Sequence, residues 1–560
     1  LNKRLSSIAL QSFILFLTIL TLTSERAVAQ DAVTSGAGWT STRVDLDVTI
    51  SPKEGRILVA GTMILRLDAA SSAGPTLRLN SGKELMRFVK VTAPAGAAST
   101  INESLEGEPG ARLAHIRFKK PLRRGAKVQL SFTAESTSVG FTFIVAESAV
   151  VVASSNGWYP QPVPPGGMKF DAELDKSTGI TRFHLPVGWR SVSNGIAEDK
   201  GAMQTGGTET WTVNIGMPRS FCAGPYQVYR NMAGERVILM YLLSPKPTGG
   251  ITQAQALAKA LATLEKRFGA YPYQSYSVAE VPDNLVRWYG LEARNFTVER
   301  SSVFQYADGG LSIFSHEVGH GWWGNLVNPG GPGSYLLNEG LAQYSALIVV
   351  QEIEGQASYI NYLQFSRTGI PPQQCARGYF EMNRKGKDRA LSQLTDSADD
   401  YDLANSKGTW FYHMLRDQVG DQLFFATLRG LIRQYGGKTM TLPNLRSAFI
   451  AASPHPDELS QFFAQWLDRT GAPMLAVEWA DAGSGQVAVT ITQKQEGPPY
   501  KLTLEVAVDS ENGPNLQSVV LGERQVRVVL KTNGKTTGVS LDPNHKLLIW
   551  RPEYESAQVK

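Results

Sequence analysis

From about residue 40 to residue 225, apolar residues recur at every second position. Val44, Leu46, Val48 and Ile50 alternate with Arg43, Asp45 and Asp47, and Val128, Leu130 and Phe132 repeat the period. That is the pattern of strands with one face in a core and the other toward water, and it predicts an antiparallel β domain over residues 30–225. Within it, the run Pro-Gln-Pro-Val-Pro-Pro-Gly-Gly at 160–167 cannot pass through a central strand, because proline offers no N–H to the ladder. It reads as a loop inside the domain.

The period changes at Thr252. Leu257, Leu261, Leu264 and Phe268 fall on one helical face, with Thr252 as a cap and Gly269 as a stop. Further helical patterns occur around His316, after Asn338, from Lys407 to about Tyr435 and from Pro456 to Leu467, and Tyr276–Pro282 reads as a strand. Residues 226–470 are therefore expected to form a mixed α/β domain. The segment Pro371–Asp400 shows no period and is rich in polar and small residues, so it reads either as a long surface loop near the cleft or, the favoured reading, as a solvated excursion. Asn328–Ser334 is glycine-rich but lacks the Lys-Ser/Thr ending of a phosphate loop, and reads as a flexible connector. After Gly471-Ala472-Pro473 alternation returns in Val487, Val489 and Ile491, then in Leu502, Leu504, Val506 and Val508, then in Val526 and Val528, which predicts a small β-sandwich over 471–560.

Composition narrows the partners. A hydrophobic share of 42% supports several cores, and a net charge of +5 spread without any block of Lys and Arg gives no reason to expect nucleic acid or an anionic membrane surface. The first residues stand apart. Asn2-Lys3-Arg4 is basic, Ile8–Leu22 is apolar, and Ala27-Val28-Ala29 supplies the small residues of a cleavage site. Residues 1–29 read as a secretory signal, with the mature chain periplasmic or extracellular and without a stable membrane span. The alternative is an anchor formed by the uncleaved signal, although its apolar stretch falls short of the roughly twenty residues that cross a bilayer. Cys222 and Cys375 are the two cysteines. In an exported chain they form either one disulfide or two thiols.

The chemistry concentrates in one stretch. His316-Glu317-Val318-Gly319-His320 is followed, eighteen residues on, by Glu339 within Asn338-Glu339-Gly340. On a helix, His316 and His320 stand at i and i+4 and project from one face, so both imidazoles can ligate one zinc ion. A single helix face cannot surround a tetrahedral ion, so the third ligand must come from another segment, and Glu339 opens a second expected helix, Glu339–Glu354. The fourth position is left for water, with Glu317 as the base beside it. With seven histidines in 560 residues, this spacing is rare by chance. The other five, His115, His184, His413, His455 and His545, show no ligand spacing.

These motifs resemble those of the gluzincin aminopeptidases, the family of membrane alanyl aminopeptidase and the leukotriene hydrolase. His316-Glu317-Val318-Gly319-His320-Gly321-Trp322-Trp323-Gly324-Asn325 is similar to the family's zinc helix and Leu337-Asn338-Glu339-Gly340-Leu341-Ala342 to its third-ligand helix. Gly290-Leu291-Glu292 resembles the exopeptidase motif, with Glu292 at the family's separation of 24 residues before the first zinc histidine. Phe463–Leu467 and Gly471-Ala472-Pro473 resemble the end of the family's catalytic domain. The resemblance implies a multidomain α+β architecture: an N-terminal antiparallel β saddle, a thermolysin-like mixed α/β catalytic domain and a C-terminal β-sandwich. It also implies one Zn2+ held by His316, His320 and Glu339, with Glu317 as general base. Gly290 and Glu292 would bind peptide substrates through a free N-terminus.

Two positions depart from the family pattern. Where the family has a tyrosine in Y-x-K-G, which stabilises the tetrahedral oxyanion, this chain has Asn405-Ser406-Lys407-Gly408; Tyr401, one helical turn upstream, or the Asn405 amide is then the expected donor. Ala293 stands where the family places Asn after the exopeptidase glutamate. The expected function is that of a zinc-dependent aminopeptidase. The alternatives are an impaired zinc-binding relative that binds peptides, and a zinc hydrolase or endopeptidase acting on another bond.

Overall fold

The structure is a computed structural model that describes residues 38–80, 84–102, 110–137, 139–163, 175–198, 207–244, 251–287, 290–306, 310–365, 374–395 and 397–555. The expected signal segment lies outside the described residues. Contacts divide the chain into two compact units, one ending at Arg230 and including 239–250 and 275–301, the other holding 231–238, 251–274 and everything from Ser302 onward.

The first unit is β-rich. Trp39–Ser51 and Arg56–Leu67 form a long antiparallel pair at the centre of a seven-stranded sheet, and Gly179–Leu185 adds in parallel to the first of them. The alternation seen in the sequence is realised here, since Val44, Leu46, Val48 and Ile50 are all buried. The described residues of this unit also form two four-stranded sheets. In one of them Gln161–Pro162 pairs with Leu77–Arg78 as the edge strand, a place where a missing N–H does no harm. Ser275–Val281 and Phe296–Arg300 pair in parallel, and Gly290–Glu292 flanks the latter. Ala279, Val281, Phe296 and Val298 join the same apolar core as the N-terminal strands. Cys222 lies in that core with Sγ 2.9 Å from the Tyr226 hydroxyl, and burial pushes its thiol up to about 12.

The second unit is helical and then β. Ile251–Phe268 buries Leu257, Leu261, Leu264 and Phe268, as the period predicts, and Gly269 follows it at φ +102°. It packs on Leu311–Gly319, which packs in turn on Leu341–Glu354. The expected long helix from Lys407 is two, Lys407–Val419 and Asp421–Tyr435, broken at Gly420 with φ +78°. Leu442–Ala452 is an additional helix, opened by a capping box between Thr441 and Asn444. Pro456–Trp466 is as expected. Two three-stranded antiparallel sheets after Leu475 form the C-terminal β layers. Among the described residues no helix is long and apolar enough to cross a membrane.

Two expectations are corrected. Asn328–Gly330 is no flexible connector: it pairs in parallel with Thr439–Thr441, and a Cβ on Gly330 would lie 2.4 Å from Thr439 Cγ2. Its glycine permits close pairing rather than motion. Pro371–Asp400 is no solvated excursion either. It contains the helix Ala376–Arg384, a 3-10 turn at Leu391–Gln393 and the start of the helix Ala398–Asn405. Cys375, Ala376, Tyr379, Phe380, Met382, Leu391 and Leu394 are buried. The apolar face was missed because nine residues are too few for the period to declare itself.

Asp388 anchors this segment. It accepts the Tyr379 hydroxyl at 2.8 Å, the Gly471 N–H and the Lys407 ammonium at 3.4 Å. Lys407 is 1% exposed, and burial pulls its ammonium below the ordinary value while Asp388 opposes that shift. Asp388→Ala would strand a buried charge and should destabilise the unit by about 3–5 kcal/mol, read as a shift in chemical unfolding. A shift below about 1 kcal/mol would show that the pair does not hold the segment in place.

Candidate metal centre

Three side chains from two helical segments converge. His316 and His320 lie on and just past Leu311–Gly319. Glu339 does not open an α-helix as expected: it sits on a single π-type turn, Leu336–Gly340, from which Leu341–Glu354 continues. Such a turn inserts one residue into the helical spiral and re-aims the side chains on it, a device common at functional sites.

The backbones bring the ligands together by approaching without side chains between them. A Cβ on Gly319 would meet Ser345 Cβ at 2.9 Å and Ala342 Cα at 3.2 Å, so the crossing of the two ligand helices needs glycine there. At Gly324, with φ +110°, a Cβ would lie 2.3 Å from Asn338 Oδ1. Trp322 and Trp323, both fully buried, pack edge-on against Phe268 and fix the end of the zinc helix.

The donor atoms fit one ion. His316 Nε2 and His320 Nε2 are 3.1 Å apart, and Glu339 Oε2 is 3.3 Å from the first and 3.8 Å from the second. A tetrahedral zinc with bonds of about 2.0–2.2 Å separates its ligands by roughly 3.3–3.6 Å. The tautomers agree. His316 Nδ1 donates to Gln343 Oε1 at 2.8 Å, and His320 Nδ1 faces Trp323 O and Asn338 Oδ1, both at 3.1 Å. Each Nδ1–H so held leaves a lone pair on Nε2, and two lone pairs this close call for a cation between them. Burial raises the cost of charge on Glu339, but His320, His316 and the Asn405 amide outweigh it and hold the carboxyl below its ordinary value. Among the described residues this trio is the one cluster of potential ligands close enough to share an ion.

Glu317, Tyr401 and Asn405 belong to the same unit as this trio. Glu317 is 7% exposed, on the zinc helix between the two histidines. Tyr401 lies on Ala398–Asn405 and is 37% exposed. Burial, then the charges of Glu339 and Glu317, push the phenol well above its usual value, with the Gln374 side chain opposing that shift. Asn405 is fully buried, its Nδ2 donates to the Tyr401 carbonyl at 3.0 Å, and its side chain is the last of the influences that lower the Glu339 carboxyl. Glu292 and Gly290 belong to the other unit, on the edge strand Gly290–Glu292. The Glu292 carboxylate there accepts the backbone N–H of Arg294, a residue at φ +67°. The neighbouring Ala293 carbonyl accepts the Asn194 amide at 2.7 Å, so that turn is held without the family's Asn.

Sequence reasoning missed Gln343, Asn338 as a ligand orienter, and Gln374. Gln343 was within reach of it, since it follows Glu339 by one helical turn on the same face and points back at the zinc helix. Asn338 bridges two ligands, accepting from His320 and donating to Glu339 Oε1 at 3.3 Å. Only tertiary structure identifies Gln374.

A profile of the peptidase family M1 domain matches residues 254–466. Human aminopeptidase RNPEPL1 is 24% identical over 253 residues, which are 42% of this chain and 34% of that protein. The chain thus matches about a third of the length of that curated relative. Among solved structures, aminopeptidase A of Legionella pneumophila in complex with aspartic acid aligns at a TM-score of 0.64 and 16% identity, covering 92% of this chain and 59% of that one. An M1 zinc metallopeptidase from Deinococcus radiodurans aligns at 0.58 and 18%, covering 78% of this chain and 96% of that one. At these identities the structural likeness is one of fold.

The geometry predicts one zinc per chain in untreated protein, lost in Glu339→Ala. Gln343→Leu, which removes only the acceptor for His316 Nδ1, should keep the zinc but bind it ~10–100-fold more weakly in competition with a chromogenic chelator. Equal affinity in that variant would mean that the His316–Gln343 bond plays no part in ligation.

Proposed function

We propose that this chain, a member of the gluzincin aminopeptidase family by its M1 peptidase domain, is a zinc-dependent aminopeptidase that removes N-terminal residues from peptides. The observation that carries the reading is the convergence of His316, His320 and Glu339 around one ion-sized space beside Glu317. Zinc, when bound, supplies Lewis acidity: it polarises a carbonyl oxygen and lowers the pKa of a water toward neutrality.

The chain's own residues do the rest. Glu317, on the zinc helix, takes the proton released by the attacking water and returns it to the departing amine. Tyr401 donates its phenolic hydrogen to the oxyanion that develops at the scissile carbonyl. Its raised pKa is consistent with that role, because a phenol pushed up by burial and then by Glu339 and Glu317 stays protonated, and so remains a donor, throughout the neutral range. Glu292, by resemblance, binds the substrate α-ammonium, as a carboxylate demanding a positive terminus would exclude internal peptide bonds. Export to the periplasm or outside the cell is part of the proposal and rests on the pattern of residues 1–29.

Purified protein assayed on aminoacyl chromogenic substrates tests this. Release should require a free amine, stop with a chelator and vanish in Glu317→Gln. Tyr401→Phe should retain zinc while kcat falls about 10²–10³-fold, equivalent to 2.7–4 kcal/mol of lost oxyanion stabilisation. Turnover of N-blocked peptides, or zinc-loaded protein without turnover, would sink the aminopeptidase reading. An unchanged rate in Tyr401→Phe would remove that residue from the mechanism alone.

A further inference from the structure

We propose that Glu299 is a neutral carboxylic acid in the working protein and a positioning residue for Glu292, its proton completing a hydrogen-bonded chain through Thr297 to the Leu291 carbonyl. The positioning role rests on the reading of Glu292 as the group that binds the substrate α-ammonium.

A threonine hydroxyl has one hydrogen to give and lone pairs with which to accept. Thr297 Oγ1 lies 3.2 Å from the Leu291 carbonyl oxygen and 3.0 Å from Glu299 Oε1, so two oxygens flank it. It cannot donate to both. With Glu299 ionised, one of these contacts holds no hydrogen, and the carboxylate has at most the single donor Thr297. With Glu299 protonated, its O–H donates to Thr297 Oγ1 and the Thr297 hydrogen goes to Leu291 O. Each contact then holds a hydrogen. Glu299 Oε2 has no hydrogen-bond partner among the described residues, and the residue is 0% exposed. Out of water, a bare oxygen on a charged carboxylate costs far more than the bare carbonyl of a neutral acid.

The strands beside it offer no positive charge. Glu280 on Ser275–Val281 is the parallel register partner of Glu299, and Gly290 on the edge strand Gly290–Glu292 is its antiparallel one. Register partners face the same side of a sheet, so the titratable groups that share this face on the two strands are Glu280 and, opposite Thr297, Glu292. Both are acids. Glu280 is itself buried and accepts the Leu243 N–H at 3.0 Å, while Arg300 alternates to the other face and pairs with Asp283 at 3.0 Å. Burial accordingly pushes the Glu299 carboxyl well above its ordinary value, against a smaller opposing pull from the Thr297 hydroxyl.

The chain from Glu299 ends on the backbone between Gly290 and Glu292, a strand paired on one side only, and so sets the direction in which Glu292 projects. The sign of the pH effect follows. Below its raised pKa Glu299 keeps the chain intact; as pH climbs through that value the proton leaves, Thr297 turns its hydrogen to the new carboxylate, and the hold on a free amine slackens.

Two measurements on the full chain test the two halves. Infrared difference spectra at neutral pH, wild type minus Glu299→Gln, should show the carbonyl band of a protonated carboxyl, and its absence overturns the proposal whatever the activity. KM and kcat on aminoacyl chromogenic substrates, followed across pH, test the positioning. Glu299→Gln keeps an N–H for Thr297 and cannot ionise, so its KM should stay within about twofold of wild type at neutral pH. It should also lose the part of the alkaline rise in KM that exceeds titration of the substrate amine. Glu299→Met, or Thr297→Val should the methionine variant not fold, should raise KM roughly 3–10-fold with kcat within about twofold. An unchanged KM in these two variants, or an equal loss in Glu299→Gln, overturns the positioning role while leaving Glu292 as the amine anchor. Wild-type protein without turnover of free-amine substrates overturns that role together with the reading on which it rests.

Discussion

The centre depends on delivering a carboxylate to two imidazoles that cannot finish the coordination themselves. One helix supplies His316 and His320 at i and i+4, and its geometry allows nothing more on the far side of the ion. Glu339 must arrive from a separate segment and stay within a few tenths of an ångström of a fixed place. The fold achieves this with small residues at the crossings. Gly319 lets the zinc helix lie against Ser345 and Ala342, Gly340 admits Ala404 O, and Gly408 admits Leu336. Larger residues at these positions would push the segments apart before any ligand was lost.

The second requirement is electrostatic. Three potential ligands and Glu317 are collected in a place where water is scarce, and each polar atom there needs a partner. Gln343 and Asn338 serve the imidazole N–H groups, and Asn338 also donates to the carboxylate. All these partners are neutral. Their role is to orient without adding charge, which leaves the field at the site to Glu339, Glu317 and whatever cation binds. The same logic recurs away from the metal, where Lys407 is buried but paired with Asp388, and Asp388 ties together the segment from Tyr379 and the chain at Gly471.

How much of this was legible in the sequence follows from the range over which each signal acts. The H-E-x-x-H spacing and the distant Glu339 were readable because helix geometry and metal chemistry fix residue types at fixed separations. The β regions and the helix Ile251–Phe268 were readable because their periods run long enough to be distinguished. Ala376–Arg384 was not, being one short amphipathic turn pair bounded by polar residues. Nor was the strand Asn328–Gly330, whose partner at Thr439–Thr441 is more than a hundred residues away and whose glycine and proline argue locally for a loop. The π-type turn at Leu336–Gly340 escaped for the same reason: local propensity does not distinguish it from the first turn of the helix that follows.

Position 405 shows how a departure from a family pattern is absorbed by one turn of helix. Tyr401 and Asn405 are four residues apart on Ala398–Asn405, so they share a face and are offset by about 6 Å along the axis. A phenol is longer than a carboxamide, and from the upstream turn its hydroxyl end still comes under the charges of both Glu317 and Glu339. The two residues are also joined directly, through the Asn405 amide and the Tyr401 carbonyl. A change at Asn405 therefore bears on Tyr401, because its amide braces the helical turn that presents the phenol.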